Sequence, residues 1–252
     1  SEYVYINQPV IQFSPSFAIA KKEESSSSNT INIYAGTNEN AELSNFAIRP
    51  FSYDEMGMLG KVAGDFQTVE GAFQAQKILY TASERYRLFD TGDVLLLTKE
   101  GKELLHSLET ATGAQAKKIG RGIKDVDVAR WDAIAANEMK AVITDSFQSN
   151  PLAAKALLAT EDATLTHTQD KGKWGKLFPQ ILMEVRAELV EGLKQEQNYQ
   201  EIEESEDALL KEMEESIKED LDTYGAPLDR SPAPAEVDIS ELPTAFVPMS
   251  VD

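Results

Sequence analysis

The stretch Phe66-Gln67-Thr68-Val69-Glu70-Gly71-Ala72-Phe73-Gln74-Ala75-Gln76-Lys77 holds residue types that can act together on a ligand. On a helix, Glu70, Phe73, Gln74 and Lys77 stand at i, i+3, i+4 and i+7 and share one face. A carboxylate, an amide and an ammonium would then lie in a stripe with an aromatic ring. The same stripe also reads as a solvated face with a charge pair. A carboxylate near a helix start is equally explained by the helix dipole alone.

Three other segments carry polar or aromatic groups suited to a pocket. Leu43-Ser44-Asn45-Phe46 is a turn whose amide and backbone N–H groups could meet a ligand, although such turns are ordinary loops too. Lys117, Lys118, Arg121 and Lys124 could form a phosphate site, with Gly120 allowing close approach. A basic helical surface is the alternative, and it is preferred for Lys118 and Lys124. Trp131 could stack on a ring or pack in the core, and without context the core is favoured. In the loop-like Leu165–Gly175 stretch, Asp170 and Trp174 can supply a carboxylate and a stacking surface, while His167 reads as a hydrogen-bonded structural residue.

These groups need elements to hold them. Thr68 is suited to cap a helix carrying Val69, Phe73 and Ile78. Helical patterns recur at 83–88, 94–105, 113–121, 129–146, 151–159 and 179–193. Strand signals are few: 32–34, 66–68 and 165–167. The expectation is an α+β fold, predominantly α-helical: a single domain over 31–193 with N- and C-terminal extensions. Residues 1–20 suggest short strands or a docking arm, and Lys21–Asn29, with four consecutive serines, reads as a linker or a disordered tail. Residues 201–222 form an amphipathic acidic helix that Gly225 should end. Residues 226–252, with five prolines, read as an extended tail.

Composition narrows the chemistry. The 252 residues include no cysteine, which removes disulfides, thiolate catalysis and cysteine-based zinc sites. Two histidines, His106 and His167, argue against a His-rich metal site. Residues 190–252 hold 18 Asp and Glu against 4 Lys and Arg, a net of −14; the remainder, at −5, is nearly balanced. The total of −19 argues against non-specific binding to duplex DNA but leaves room for a nucleotide pocket. No apolar run approaches the ~20 residues of a membrane span, and the opening Ser-Glu-Tyr lacks the marks of a signal peptide. A cytoplasmic protein is expected, or one of the host cytoplasm or virion if phage-encoded.

Taken in order, Leu43–Phe46, Phe66–Lys77, Ala116–Arg121, Trp131, Leu157–Thr160, Asp170–Gly175 and Leu182–Arg186 resemble the NADAR, or YbiA-like, family over about residues 31–188. The resemblance implies an N-glycosidase. Family members are associated with NAD and ADP-ribose metabolism, some with riboflavin-pathway intermediates, and some remove ADP-ribose from guanine bases. It places Glu70 at the family's catalytic carboxylate, and Asp170, Trp131 and Trp174 at other pocket positions. Asn45, Lys77 and Arg121 match motif positions suited to ligand contact. Glu70 would be base and electrostatic stabiliser, with Asp170 second. The sequence departs from the family pattern where an acidic residue is expected near His167, and the Asp170–Trp174 spacing is one residue longer.

No metal or redox cofactor is required by that chemistry. The implied partner is a nucleotide-type small molecule or ADP-ribosylated nucleic acid, with a protein partner possible through residues 1–30 and 194–252 and no membrane. The alternative is a non-enzymatic structural or interaction protein that uses this scaffold within an assembly, such as a phage particle.

Overall fold

Eight consecutive residues, Val69–Gln76, are all buried, and they form the helix around which the first part of the protein is built. The computed structural model describes residues 29–225. The arm and Ser-rich segment expected before residue 29, and the Pro-rich tail from 226, lie outside the described residues. The chain divides into two units at Gln197/Asn198.

The first unit is a helix-dominated α+β domain. Strand β1 (Thr30–Asn32) pairs in parallel with β4 (Thr164–Thr166), Ile31 opposite Leu165. β2 (Phe51–Tyr53) pairs antiparallel with β3 (Gly64–Phe66). The helices are α1 (Val69–Gln76), α2 (Lys99–Thr110), α3 (Gly113–Arg121), α4 (Val128–Gln148), α5 (Pro151–Leu158) and α6 (Trp174–Tyr224). α6 runs on into the second unit.

The position of α1 follows from its small residues. Thr68 caps it, its hydroxyl accepting from the Gly71 N–H at 3.0 Å. A Cβ on Gly71 would lie 2.6 Å from the Leu108 carbonyl oxygen, so glycine permits the close approach of α2. α1 packs on α2, α3 and α4 at once, and it tightens after Gln76 into a 3-10 turn over Lys77–Tyr80.

Several expected elements move. The three strands expected at 32–34, 66–68 and 165–167 begin one or two residues earlier, and β2 was not anticipated. Residues 83–88 are not helical. There the Leu88 N–H donates to the Leu96 carbonyl at 2.9 Å, and Arg87 bridges to Leu97. The helix expected from 94 starts at Lys99, because Thr98 caps it by accepting from the Gly101 N–H. α6 starts at Trp174 with Pro179 inside it, earlier than Pro179 itself suggests.

A second polar group brings α4 together with the connection between β2 and β3. The carboxylates of Asp54, Glu138 and Asp145 act on the fully buried Tyr53, and Lys61 pairs with Glu138. Burial, aided by Asp54, raises the Asp145 carboxyl to about 6. The folded state therefore holds more protons than the unfolded state between the ordinary Asp range and about 6, and stability falls as pH rises through that window. Asp145→Asn should leave the melting temperature near wild type at about pH 4 and raise it relative to wild type at about pH 8. An equal difference at both pH values would overturn this.

In the second unit, every described residue from 198 to 225 is exposed. α6 ends at Tyr224, and Gly225 follows at φ 71°, a left-handed terminus that glycine adopts without steric cost. Among the described residues, no helix is long and apolar enough to cross a membrane.

Candidate active site

The cap at Thr68 puts Glu70 in the first turn of α1, and the Glu70 N–H donates to the Asn45 carbonyl at 3.1 Å. Helix start and 43–46 turn are thereby tied together. Glu70, Phe73, Gln74 and Lys77 all line one cavity of about 620 Å³. Glu70 is only 7% exposed, and its Oε1 accepts from Gln74 Nε2 at 2.8 Å. Burial raises its pKa above the ordinary carboxylate range. The Gln74 bond and the charges of Lys117, Lys77 and Arg121 oppose that rise without cancelling it.

Three cations reach the same space. Lys77 donates to the Gly120 carbonyl at 3.3 Å and lies 5.9 Å from the Trp131 ring centre; burial lowers its pKa. Lys117 and Arg121 stand one turn apart on α3, both exposed, and neither has a hydrogen-bond or ion-pair partner among the described residues. α3 comes this close because residue 120 is glycine: a Cβ there would meet Gln74 Oε1 at 2.0 Å.

An aromatic wall completes one side. The Phe73 ring centre lies 5.1 Å from Trp131 and 5.4 Å, edge-on, from Trp174. Trp131 is 7% exposed and also lines the cavity, so it is a core residue with access to the pocket. On the β1–β4 side stand Tyr34, Gly36, His167 and Asp170. His167 Nδ1 donates to the Ile33 carbonyl at 2.7 Å, since a carbonyl can only accept, and Asp170 Oδ1 accepts from the Gly172 N–H at 2.8 Å. Gly175 lets the loop close on α6, because a Cβ there would fall 2.1 Å from the Asp170 carbonyl oxygen.

Residues 33–190 match the family model described as the NADAR domain. The chain belongs to the NADAR family. A solved structure similar to it is the NMR structure of the E. coli protein YbiA, at 22% identity and a TM-score of 0.44, covering 65% of this chain and 86% of that one. No curated protein matches the chain.

Within the NADAR domain, Asn45, Glu70, Lys77, Arg121, Trp131, Asp170 and Trp174 all line the one cavity, although up to 129 positions separate them in sequence. Lys118 and Lys124 do not line it. Gln74 and Lys117 line the cavity as well; the helical stripe holds the first and the cation group the second, although neither matches a motif position with a ligand-contact role. The signals were present: Gln74 is one turn after Glu70, and Lys117 one turn before Arg121. Tyr34 carried no signal beyond a strand end. Among the described residues, no group of three His, Cys, Asp or Glu side chains is placed to hold a metal ion.

One buried cation supports the cavity from behind. Arg49 Nη1 donates to the Glu42 and Ser44 carbonyls at 2.7 and 2.9 Å, and Nε to Ser146 Oγ at 3.1 Å. Its guanidinium lies 4.4 Å from the Phe147 ring centre, and burial brings its pKa down to about 10. These bonds pin the turn that carries Asn45.

Proposed function

We propose that the domain at residues 31–193 hydrolyses an N-glycosidic bond in an ADP-ribose-type or related nucleotide, including ADP-ribosyl-guanine in nucleic acid. The observation that carries this reading is a buried carboxylate, Glu70, sharing a cavity with two tryptophans and three cations. Cleavage at an anomeric carbon builds oxocarbenium-like positive charge, which a nearby carboxylate stabilises. Water adds to that carbon, its proton passes to Glu70, and the C–N electron pair leaves on the base nitrogen; that nitrogen takes up a proton from solvent as Glu70 releases its own, which restores the carboxylate. A carboxyl held above its ordinary range accepts that proton more readily than a free one. Trp131 and Trp174 offer stacking faces for a base, while Lys77, Lys117 and Arg121 suit phosphate oxygens. Asp170, half-buried beside Trp174, is the second carboxylate.

The direct test incubates the full chain with ADP-ribosylated guanosine, ADP-ribosylated oligonucleotide and riboflavin-pathway nucleotides, separating products by chromatography. Release of free base from one of them is expected; an inert chain across all of them overturns the reading. Lys117→Ala and Arg121→Ala should each raise KM for a phosphate-bearing substrate about tenfold, with a smaller change in kcat. That penalty should shrink at high salt, where exposed charges are screened. Unchanged KM in both variants would remove these residues from the substrate site.

A further inference from the structure

The acidic half of α6 has an apolar face that no described residue covers. Ile202, Leu209, Leu210, Met213, Ile217 and Leu221 are 46–58% exposed. At the helical rotation per residue they fall within an arc of about 120°, the width of a packing stripe. Tyr199 and Tyr224 extend it at either end.

The charges around the stripe narrow what can occupy it. Residues 201–222 contain 11 Asp and Glu against two Lys, Lys211 and Lys218, and both lysines fall off the stripe. Glu206 and Asp220 fall within it, while Glu203, Asp207 and Glu214 border it. A second copy is a poor occupant. A parallel pair in register sets Glu206 against Glu206, and an antiparallel pair centred on Met213 sets Glu206 against Asp220. Either arrangement presses carboxylates together in an apolar seam. A helix whose apolar stripe is flanked by Lys or Arg, long side chains that can reach these carboxylates from the edge of the seam, removes the repulsion and completes the burial.

We infer that residues 199–224 are a docking helix for a partner protein's amphipathic helix whose apolar stripe is bordered by Lys and Arg. The surface lies wholly in the second unit, so it stands apart from the glycosidase reading, and either can fail without the other.

The test titrates the full chain, by calorimetry, with a helical peptide of roughly three heptads bearing Leu at a and d and Lys at e and g. Binding is expected, and a matched peptide with Glu at e and g should not bind. The double variant Leu210→Gln/Ile217→Gln should bind the basic peptide at least about tenfold more weakly. It should melt with the wild type, because both side chains are already exposed. Raising NaCl from about 50 to about 500 mM should weaken the wild-type complex. Equal binding by wild type and variant would mean charge attraction alone and overturn the proposal. So would failure of the wild-type chain to bind, the result if its own residues cover the stripe. Sedimentation showing a wild-type dimer that the variant loses would assign the stripe to a second copy instead.

Discussion

Glu70→Gln is expected to leave a folded chain whose turnover in the proposed hydrolysis falls by about 10³-fold or more, the range in which a base and charge stabiliser acts. The substitution keeps the shape of the side chain and an oxygen for Gln74 Nε2 to donate to, so the geometry of α1 survives. What disappears is the ability to take a proton and to steady positive charge. Stability should move the other way. The folded carboxyl sits above its ordinary value because it is buried, so the folded state binds more protons than the unfolded state in that window. Wild-type stability therefore falls as pH rises through it, and the amide escapes that loss. The variant should melt near wild type at about pH 4 and above it at about pH 8. In the wild type, kcat/KM should fall on acidification at a pH above the ordinary glutamate range. Retention of more than a tenth of wild-type turnover by Glu70→Gln would remove this carboxylate from the chemistry.

Gly120→Ala should damage both stability and activity although it adds one methyl group. In a helix, Ala is favoured over Gly by about 1 kcal/mol, so on an open surface the change would stabilise. Here the new Cβ would lie 2.0 Å from Gln74 Oε1, 2.3 Å from Cδ and 2.7 Å from Cγ. Three successive atoms clash, so the whole Gln74 side chain must leave or α3 must shift from α1. Overpacking of this kind costs about 1–3 kcal/mol, enough to reverse the propensity gain. Displaced Gln74 no longer donates to Glu70, which removes a contribution holding that carboxyl down. The acidic limb of activity should consequently move to higher pH. Denaturant unfolding and a pH–rate profile read the two effects. The double variant Gly120→Ala/Gln74→Ala relieves the clash and should recover stability while leaving the pH shift in place. A Gly120→Ala chain at least as stable as wild type would show that the contact is not tight.

Much of the site was legible because the signals are local. The shared face of Glu70, Phe73, Gln74 and Lys77, the Thr68 cap and the 113–121 helix follow from helical period and capping groups a few residues away. The end of α6 at Gly225 is of the same kind. The elements that moved lacked such signals. Three-residue strands have almost no period to read, and residues 83–88 show helical spacing while their backbone bonds reach 8–13 residues along the chain. Pro179 looked like a boundary because the Trp174–Phe178 turn before it depends on packing rather than propensity.

On its own, then, the sequence determined that Glu70 stands on a helix beside an amide and a cation, and that an acidic amphipathic helix follows the domain. Only the tertiary structure decided that Asn45, Arg121, Asp170 and Trp174 meet that face, that Lys117 joins them and Lys118 does not, and that Glu70 is buried enough to be hard to ionise. The division has one physical cause. Periodicity and capping act between residues a few positions apart, whereas burial and the balance of desolvation against surrounding charge are sums over every element that packs around the group.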